Sequence, residues 1–361
     1  MVIELHVFNL HETPGGVNRS PDLCYRFGMS KAAFTRAAAA LAFLASCIWL
    51  TPAPRAQTPP GYWLKGNLHT HTINSDGDSS PDEVVRWYKE HRYNFLVLTD
   101  HNYLTSISGL NAVLGAAGQF LVVRGEEVTD QFESKPVHVN ALNPKSLITP
   151  QGGSSVLDTI QRNVDAIRRA EAVPSINHPN FGWAITADDL RRVQNDKLFE
   201  VYNGHPQTNN LGGGGSPPME QVWDMVIGSG RVMYGVAVDD AHHFKQFDPY
   251  LSNPGRGWVA VRATELSANA LVEAIERGDF YASTGVVLDD VAALPNGLKV
   301  QVRPARPLKH TVEFIGENSR VLKTTYDNPA TYTLAASDRY VRARITASSG
   351  ERAWTQPVFR K

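Results

Sequence analysis

The sequence predicts an α/β protein built on a parallel, barrel-like sheet and followed by a small antiparallel β-sandwich. Three observations point there. Short β-branched runs alternate with helical stretches up to about residue 285. His, Asp and Glu recur where those runs end. Beyond residue 286 the texture changes to apolar–polar alternation with turn signals between.

The expected strands come in order. Residues 94–98 run into Thr99-Asp100-His101, and 120–123 into Gly125-Glu126-Glu127. Residues 137–142 contain His138, and 172–176 lead into Asn177-His178-Pro179. Residues 198–202 precede Asn203-Gly204-His205, and 232–238 end at Asp239-Asp240-Ala241-His242. Helices are expected over 80–91, 156–172, 218–227 and 267–277. The first has Ser80 as N-cap, Pro81 at N1 and acidic Asp82 and Glu83 in its opening turn. Strands separated by helices favour a sheet whose strand C-termini meet at one mouth. The glycine-rich stretch 206–217 reads as a solvated loop or as a flap beside that mouth. In the tail, Leu298, Val300 and Val302, and later Val341, Ala343, Ile345 and Ala347, alternate with polar residues as half-buried strands do. The expected division is a leader over 1–56, a barrel over 57–285 and a β-sandwich over 286–361.

The leader reads as a secretory signal with a probable start at Met29. Lys31 and Arg36 are followed by an apolar run over 37–50 and a helix-breaking stretch with a cut after Ala56. An uncleaved anchor is the alternative, and Leu44-Ala45-Ser46-Cys47 resembles a lipobox that would tether the chain through Cys47. The apolar run is short for a bilayer, so no membrane span is expected in the mature chain. An exported location, periplasmic or extracellular, follows. The only cysteines, Cys24 and Cys47, lie in this leader, so a mature protein would bind metal through nitrogen and oxygen alone. The net charge of −1 gives no basic stripe for nucleic acid. The expected partner is a small-molecule substrate, with nucleotides as the one nucleic-acid-like option.

The candidate chemistry lies in a set of dispersed ligands. In a strand, residues two apart share a face, so His69 and His71 can reach one ion, with Asp76 returned by the next turn. His101, Glu126, His138, His178, Asp240 and His242 follow at successive strand ends. Singly, each is commonly a hydrogen-bonded core or surface residue. Six of the ten histidines beyond the leader occupy such places together with three carboxylates, which points to a metal centre. His205 is a candidate proton donor, with a loop-surface histidine as the plain alternative. Arg256, in Pro254-Gly255-Arg256-Gly257, is a candidate for holding an anionic substrate. Asp100, Glu127, Asp239 and His243 adjoin ligands and could orient them.

The order His-x-His, Ser-Asp-Gly, Thr-Asp-His, Gly-Glu, His, Asn-His-Pro and Asp-Ala-His over residues 65–285 resembles the PHP (polymerase and histidinol phosphatase) superfamily. The resemblance implies a distorted (β/α)7 barrel with two or three divalent ions. It assigns His69, His71 and Asp240 to one ion, with Glu126 bridging to a second held by His138 and His178. Asp76, His101 and His242 would hold the third. Clustered imidazole and carboxylate ligands suit Zn²⁺, Mn²⁺ or Fe²⁺. Such ions lower the pKa of bound water from ~15.7 to about 7, which supplies a metal-bound hydroxide at neutral pH. Glu126 and Asp240 are therefore expected to be catalytic as well as ligating. The leading expectation is a phosphoesterase acting on small organic phosphates or nucleotides. The alternatives are a carbamate, ester or amide hydrolase similar to carbaryl hydrolases, an exonuclease, and a non-catalytic metal- or ligand-binding protein.

Overall fold

A computed structural model describes residues 61–360. The leader, Met29, the cut after Ala56, Cys24 and Cys47 lie outside the described residues. Among the described residues no helix is long and apolar enough to cross a membrane.

The fold is mixed α/β around a large sheet. Its first part comprises β1 (Tyr62–Asn67), α1 (Pro81–Glu90), β2 (Phe95–Leu98), α2 (Ser108–Leu114), β3 (Leu121–Phe132), β4 (Lys135–Leu142), α3 (Val156–Arg169) and β5 (Val173–Ile176). There follow α4 (Ala187–Arg192), β6 (Leu198–Asn203), α5 (Met219–Gly228), β7 (Tyr234–Val238), β8 (Trp258–Ala263), α6 (Ala268–Arg277) and β9 (Phe280–Ser283). Each helix expected from the sequence forms. Glu83 accepts the Ser80 backbone N–H at 2.9 Å, which closes the opening turn of α1.

β1, β2 and β3 pair in parallel, as do β5, β6 and β7. The expectation of a uniformly parallel sheet is corrected at β4, which pairs antiparallel with both β3 and β5. Only Glu133 and Ser134 separate β3 from β4, which is enough for a hairpin and far too little for a crossover. The first and last strands of this series meet beyond their ends. Asp240 N–H donates to His69 O and His71 N–H to Ala241 O, both at 3.0 Å. A barrel-like ring of seven strands results, with the His69–His71 and Asp240–His242 segments side by side at its mouth.

β8 lies antiparallel to β1 on its other side, and β9 follows. The tail consists of β10 (Leu288–Leu294), β11 (Gly297–Val302), β12 (His310–Ile315), β13 (Val321–Thr325), β14 (Ala330–Thr333), β15 (Tyr340–Ala347), β16 (Arg352–Thr355) and β17 (Val358–Phe359). β10, β11 and β14 form a separate three-stranded sheet. β16 pairs with β9, so β12, β13 and β15 continue the main sheet. Leu298 and Val300 of the small sheet share one apolar core with Phe314, Ala343 and Ile345, and that core reaches Tyr281 of β9.

Candidate metal centre

β1 delivers the first two ligands. Its buried continuation places His69 and His71 beside the end of β7, and their imidazoles converge on two carboxylates. His69 Nε2 lies 3.3 Å from both Glu127 Oε2 and Asp240 Oδ1. His71 Nε2 lies 3.4 Å from Glu127 Oε2 and 3.1 Å from Asp240 Oδ1. On the other side of Glu127, His101 Nδ1 approaches Oε2 at 2.9 Å. His138 Nδ1 and His178 Nε2 approach Oε1 at 3.0 and 3.4 Å. Asp76 stands at the rim, 3.2 Å from His242 Nε2 and 3.5 Å from His101 Nε2. Three groups emerge with ligand atoms close enough to hold an ion: His69, His71 and Glu127; His101, Glu127 and His138; and His71, Asp76, His101 and His242.

The structure corrects one ligand: Glu127, not Glu126, reaches this cluster. The two are adjacent on β3, so their side chains leave opposite faces. Glu126 points away from the mouth and accepts the Ile148 backbone N–H at 2.9 Å. Burial there pushes its carboxyl up to about 7. The position expected of Glu126, shared between two of these groups, is occupied by its neighbour.

Arg256 is also corrected. Its guanidinium donates to Gly204 O at 3.0 Å, Asp248 O at 2.9 Å and Asn253 Oδ1 at 3.2 Å. These acceptors bind it as a loop fastener, and it lines a neighbouring cleft instead of the metal cavity. His205, by contrast, lines the cavity together with Asp76, Glu127, His178, Asp240 and His242. Its Nδ1 accepts the Gln207 backbone N–H at 3.2 Å. That bond fixes the ring with Nε2 as its remaining polar atom.

The supporting shell was only partly visible in the sequence. Glu200 Oε1 accepts from His69 Nδ1 at 2.7 Å, which turns His69 Nε2 towards the cluster. Its other oxygen accepts the His178 backbone N–H and Asn203 Nδ2, both at 2.7 Å. The available signal was one carboxylate within Leu198-Phe199-Glu200-Val201, an otherwise apolar strand. Asn177 Nδ2 donates to Glu127 Oε1 at 2.8 Å, and Asn203 Nδ2 to Asp240 Oδ2 at 3.0 Å. Asp100 gathers Thr72 N–H, at 2.7 Å, and Ser75 Oγ, at 3.0 Å, so it holds the turn that presents Asp76. Asp239 accepts Tyr88 Oη at 2.8 Å and the Gly257 backbone N–H at 2.8 Å. Among the described residues His243 makes no side-chain hydrogen bond or ion pair with the ligand set, and its ring lies 6.4 Å from that of His242. The backbone is left-handed at His178 (φ 23°) and Asp240 (φ 50°), a conformation β-carbon sterics disfavour and functional sites often retain.

Electrostatics separate the imidazoles. Burial, reinforced by His242, lowers His71 to about 4, so its nitrogen keeps a lone pair. At His101 burial acts in the same direction but is outweighed by the Glu127 and Asp76 carboxylates, which raise it to about 10. Burial works against ionisation of Glu127, yet His101, His69 and His138 hold it well below the usual carboxylate range. The residues fit a cation for a more direct reason. Glu127 Oε2 and His69 Nε2 are buried and face each other at 3.3 Å without a hydrogen bond of ordinary geometry, with His101 Nδ1 standing 2.9 Å from Oε2. Such a pair is costly unless a ligand satisfies both atoms.

No family profile matches the chain. Over 160 residues it is 27% identical to an uncharacterized protein, MJ1295, of Methanocaldococcus jannaschii, covering 40% of this chain and 72% of that protein. Over 89 residues it is 31% identical to the 5'-3' exoribonuclease Rnm of Salmonella typhimurium, covering 24% of this chain and 30% of the exoribonuclease. The chain thus spans under a third of that enzyme's length. A solved two-domain protein from Bacteroides vulgatus, described as containing a predicted PHP-like metal-dependent phosphoesterase, superposes with a TM-score of 0.48 at 15% identity. That superposition covers 84% of this chain and 98% of the other. In the order of its motifs, and in their convergence at one barrel mouth, the chain resembles the PHP superfamily of metal-dependent hydrolases.

Proposed function

We propose that this protein is a metal-dependent hydrolase, and specifically a phosphoesterase acting on small organic phosphates. The observation that carries the reading is the convergence of six histidines and three carboxylates on one mouth, with buried Glu127 Oε2 and His69 Nε2 facing each other at its centre without a hydrogen bond of ordinary geometry. His69, His71 and Asp240 would hold one ion, Glu127 would be shared, and His138 and His178 would complete a second. Asp76, His101 and His242 would serve a third position at the rim. Divalent ions bound there would supply Lewis acidity towards a phosphoryl oxygen and a low pKa for coordinated water.

The protein's own contribution is orientation. Glu200 fixes the His69 tautomer, Asn177 and Asn203 steady the two inner carboxylates, and His205, which burial holds below its ordinary pKa, would meet a leaving-group oxygen as a hydrogen-bond donor through Nε2. The cavity, about 240 Å³, has room for bound ions, a phosphoryl group and part of the substrate's body. The phosphodiester chemistry in the name of the Rnm relative supports phosphoryl over acyl transfer.

A second reading, hydrolysis of a carbamate, ester or amide, is favoured by one feature. Among the described residues no Lys or Arg lines the cavity, so bound cations alone would balance a phosphate. The decisive experiment is elemental analysis of the purified protein followed by a paired substrate screen. Aryl phosphates, diesters and nucleotides are set against naphthyl carbamates and esters, with Asp240→Asn as the blank. Phosphate release confined to wild type is expected. Naphthol release from carbamate alone transfers the assignment to the second reading, and stoichiometric metal without any turnover to the non-catalytic one. We read the tail strands as a small β-sandwich bracing α5, and the setting as extracytoplasmic, supported by the leader sequence.

A further inference from the structure

A second opening lies on the other side of the loop that follows β6. It is a cleft of about 1120 Å³ between α5, that loop and the hairpin of β15 and β16. One wall separates it from the metal cavity: Arg256, which lines the cleft, donates to the carbonyl of Gly204 beside His205.

Its lining joins aromatic surface to unsatisfied donors. The rings of Tyr202 and Trp354 stack with centroids 6.1 Å apart and an interplanar angle of 26°. Leu211, 79% exposed, adds an apolar face from the loop. Arg344 is fully engaged by Glu220 at 3.1 Å and Glu313 at 2.9 Å. Two other guanidiniums are not. Arg342, 1% exposed, gives Nε and Nη2 to Asp224 at 2.7 and 2.6 Å, while its Nη1 has no acceptor. Arg352, 38% exposed, gives only Nη1, to Glu220 at 3.1 Å. A buried guanidinium donor without an acceptor is costly, and a ligand oxygen would remove that cost. Planar guanidinium groups favour carboxylate and phosphate oxygens, and the flat rings favour an aromatic body.

We propose that this cleft is a binding site for a small aromatic anion. Its carboxylate or phosphate oxygens meet Arg352 and Arg342, and its ring lies along Leu211 and the part-exposed ring of Tyr202. The site is separate from the metal centre and needs no metal.

The test is calorimetric titration of the metal-free full chain with benzoate and with phenyl phosphate. Saturable binding of at least one probe is expected, weakened about tenfold, or roughly 1.4 kcal/mol, in Arg352→Gln. Leu211→Asp, a change on an exposed loop side chain that brings a like charge to the rim, is expected to weaken it similarly. His178→Ala is expected to bind as wild type does. Absence of saturable binding overturns the proposal, as does unchanged affinity in both Arg352→Gln and Leu211→Asp. Loss in His178→Ala overturns it by placing the probe in the metal cavity, and inorganic phosphate binding as tightly as phenyl phosphate removes the aromatic part. Benzoate or phenyl phosphate binding by a protein that hydrolyses nothing would sink the hydrolase reading and leave this one standing.

Discussion

Buried charge is handled in opposite ways at the barrel mouth and at the seam between α5 and the tail strands. At the seam, Asp224 is wholly enclosed and each of its oxygens is matched. Arg342 donates to both, Ser319 Oγ to one at 2.8 Å and Tyr340 Oη to the other at 3.2 Å. At the mouth, Glu127 and Asp240 are also buried but face imidazoles in place of a guanidinium, and Glu127 Oε2 and His69 Nε2 make no hydrogen bond of ordinary geometry. A carboxylate closed by a guanidinium is finished structure. Carboxylates and imidazole lone pairs aimed at a common point require a cation from outside. The difference is one of donor chemistry: Arg brings its own charge and protons, whereas neutral His offers a lone pair.

The comparison breaks most sharply at the ligands. Asp240→Asn and His178→Ala should each abolish bound metal and lower turnover at least about a hundredfold, an effect of several kcal/mol. Glu127→Gln should do the same and Glu126→Gln should not. Elemental analysis beside steady-state kinetics decides it, and metal retained in Glu127→Gln with loss in Glu126→Gln would falsify the strand-face assignment. At the seam the loss should appear in stability. Asp224→Ala strands the Arg342 charge and should cost about 3–5 kcal/mol in denaturant unfolding. The double change Asp224→Leu with Arg342→Met should recover most of that, with metal content unaltered throughout.

A smaller effect tests the outer shell of the mouth. Glu200→Gln keeps the shape but weakens the orienting bond to His69 Nδ1, and should reduce metal affinity about 10–100-fold, read by competition with a chelator. A comparable effect concerns a third buried acid. Asp196, near the start of β6, accepts one bond from the Leu198 N–H and leaves Oδ2 unmatched. Burial raises its carboxyl to about 7, against the pull of Leu198 N–H, Arg231 and Arg168. An acid with a raised folded pKa stabilises the fold while protonated, and that contribution is lost as pH climbs towards and through about 7. Stability should therefore fall by about 2–3 kcal/mol from pH 5 to 8 on this account. Asp196→Asn should flatten that slope in thermal melts, and an unchanged slope would assign it elsewhere.

Much of this was legible in the chain. The apolar runs and helix signals located the strands that frame the mouth, because burial on both faces demands continuous β-branched sequence. Eight of the nine ligand positions expected from motif order stand in the cluster: seven follow the C-termini of parallel strands, which the barrel brings together, and His138 enters from within antiparallel β4. Glu126 and Glu127 could not be separated that way: both follow the same run, and a single residue's phase decides which face a side chain takes. Arg256 failed for a related reason, as the acceptors that occupy it come from loops whose meeting no local pattern records. The antiparallel β4 escaped the sequence because the expected strands ended at 123 and resumed at 137, and only the structure carries β3 on to Phe132, two residues short of β4.

Sequence alone determined which residue types could do the chemistry and in what order they recur, because hydrophobic period and ligand chemistry are local properties. Tertiary structure decided the phase of β3, the closure of β1 against β7, the role of Glu200 and the fate of each guanidinium. Those depend on which groups share a buried space, and that is settled only when distant strands pack together.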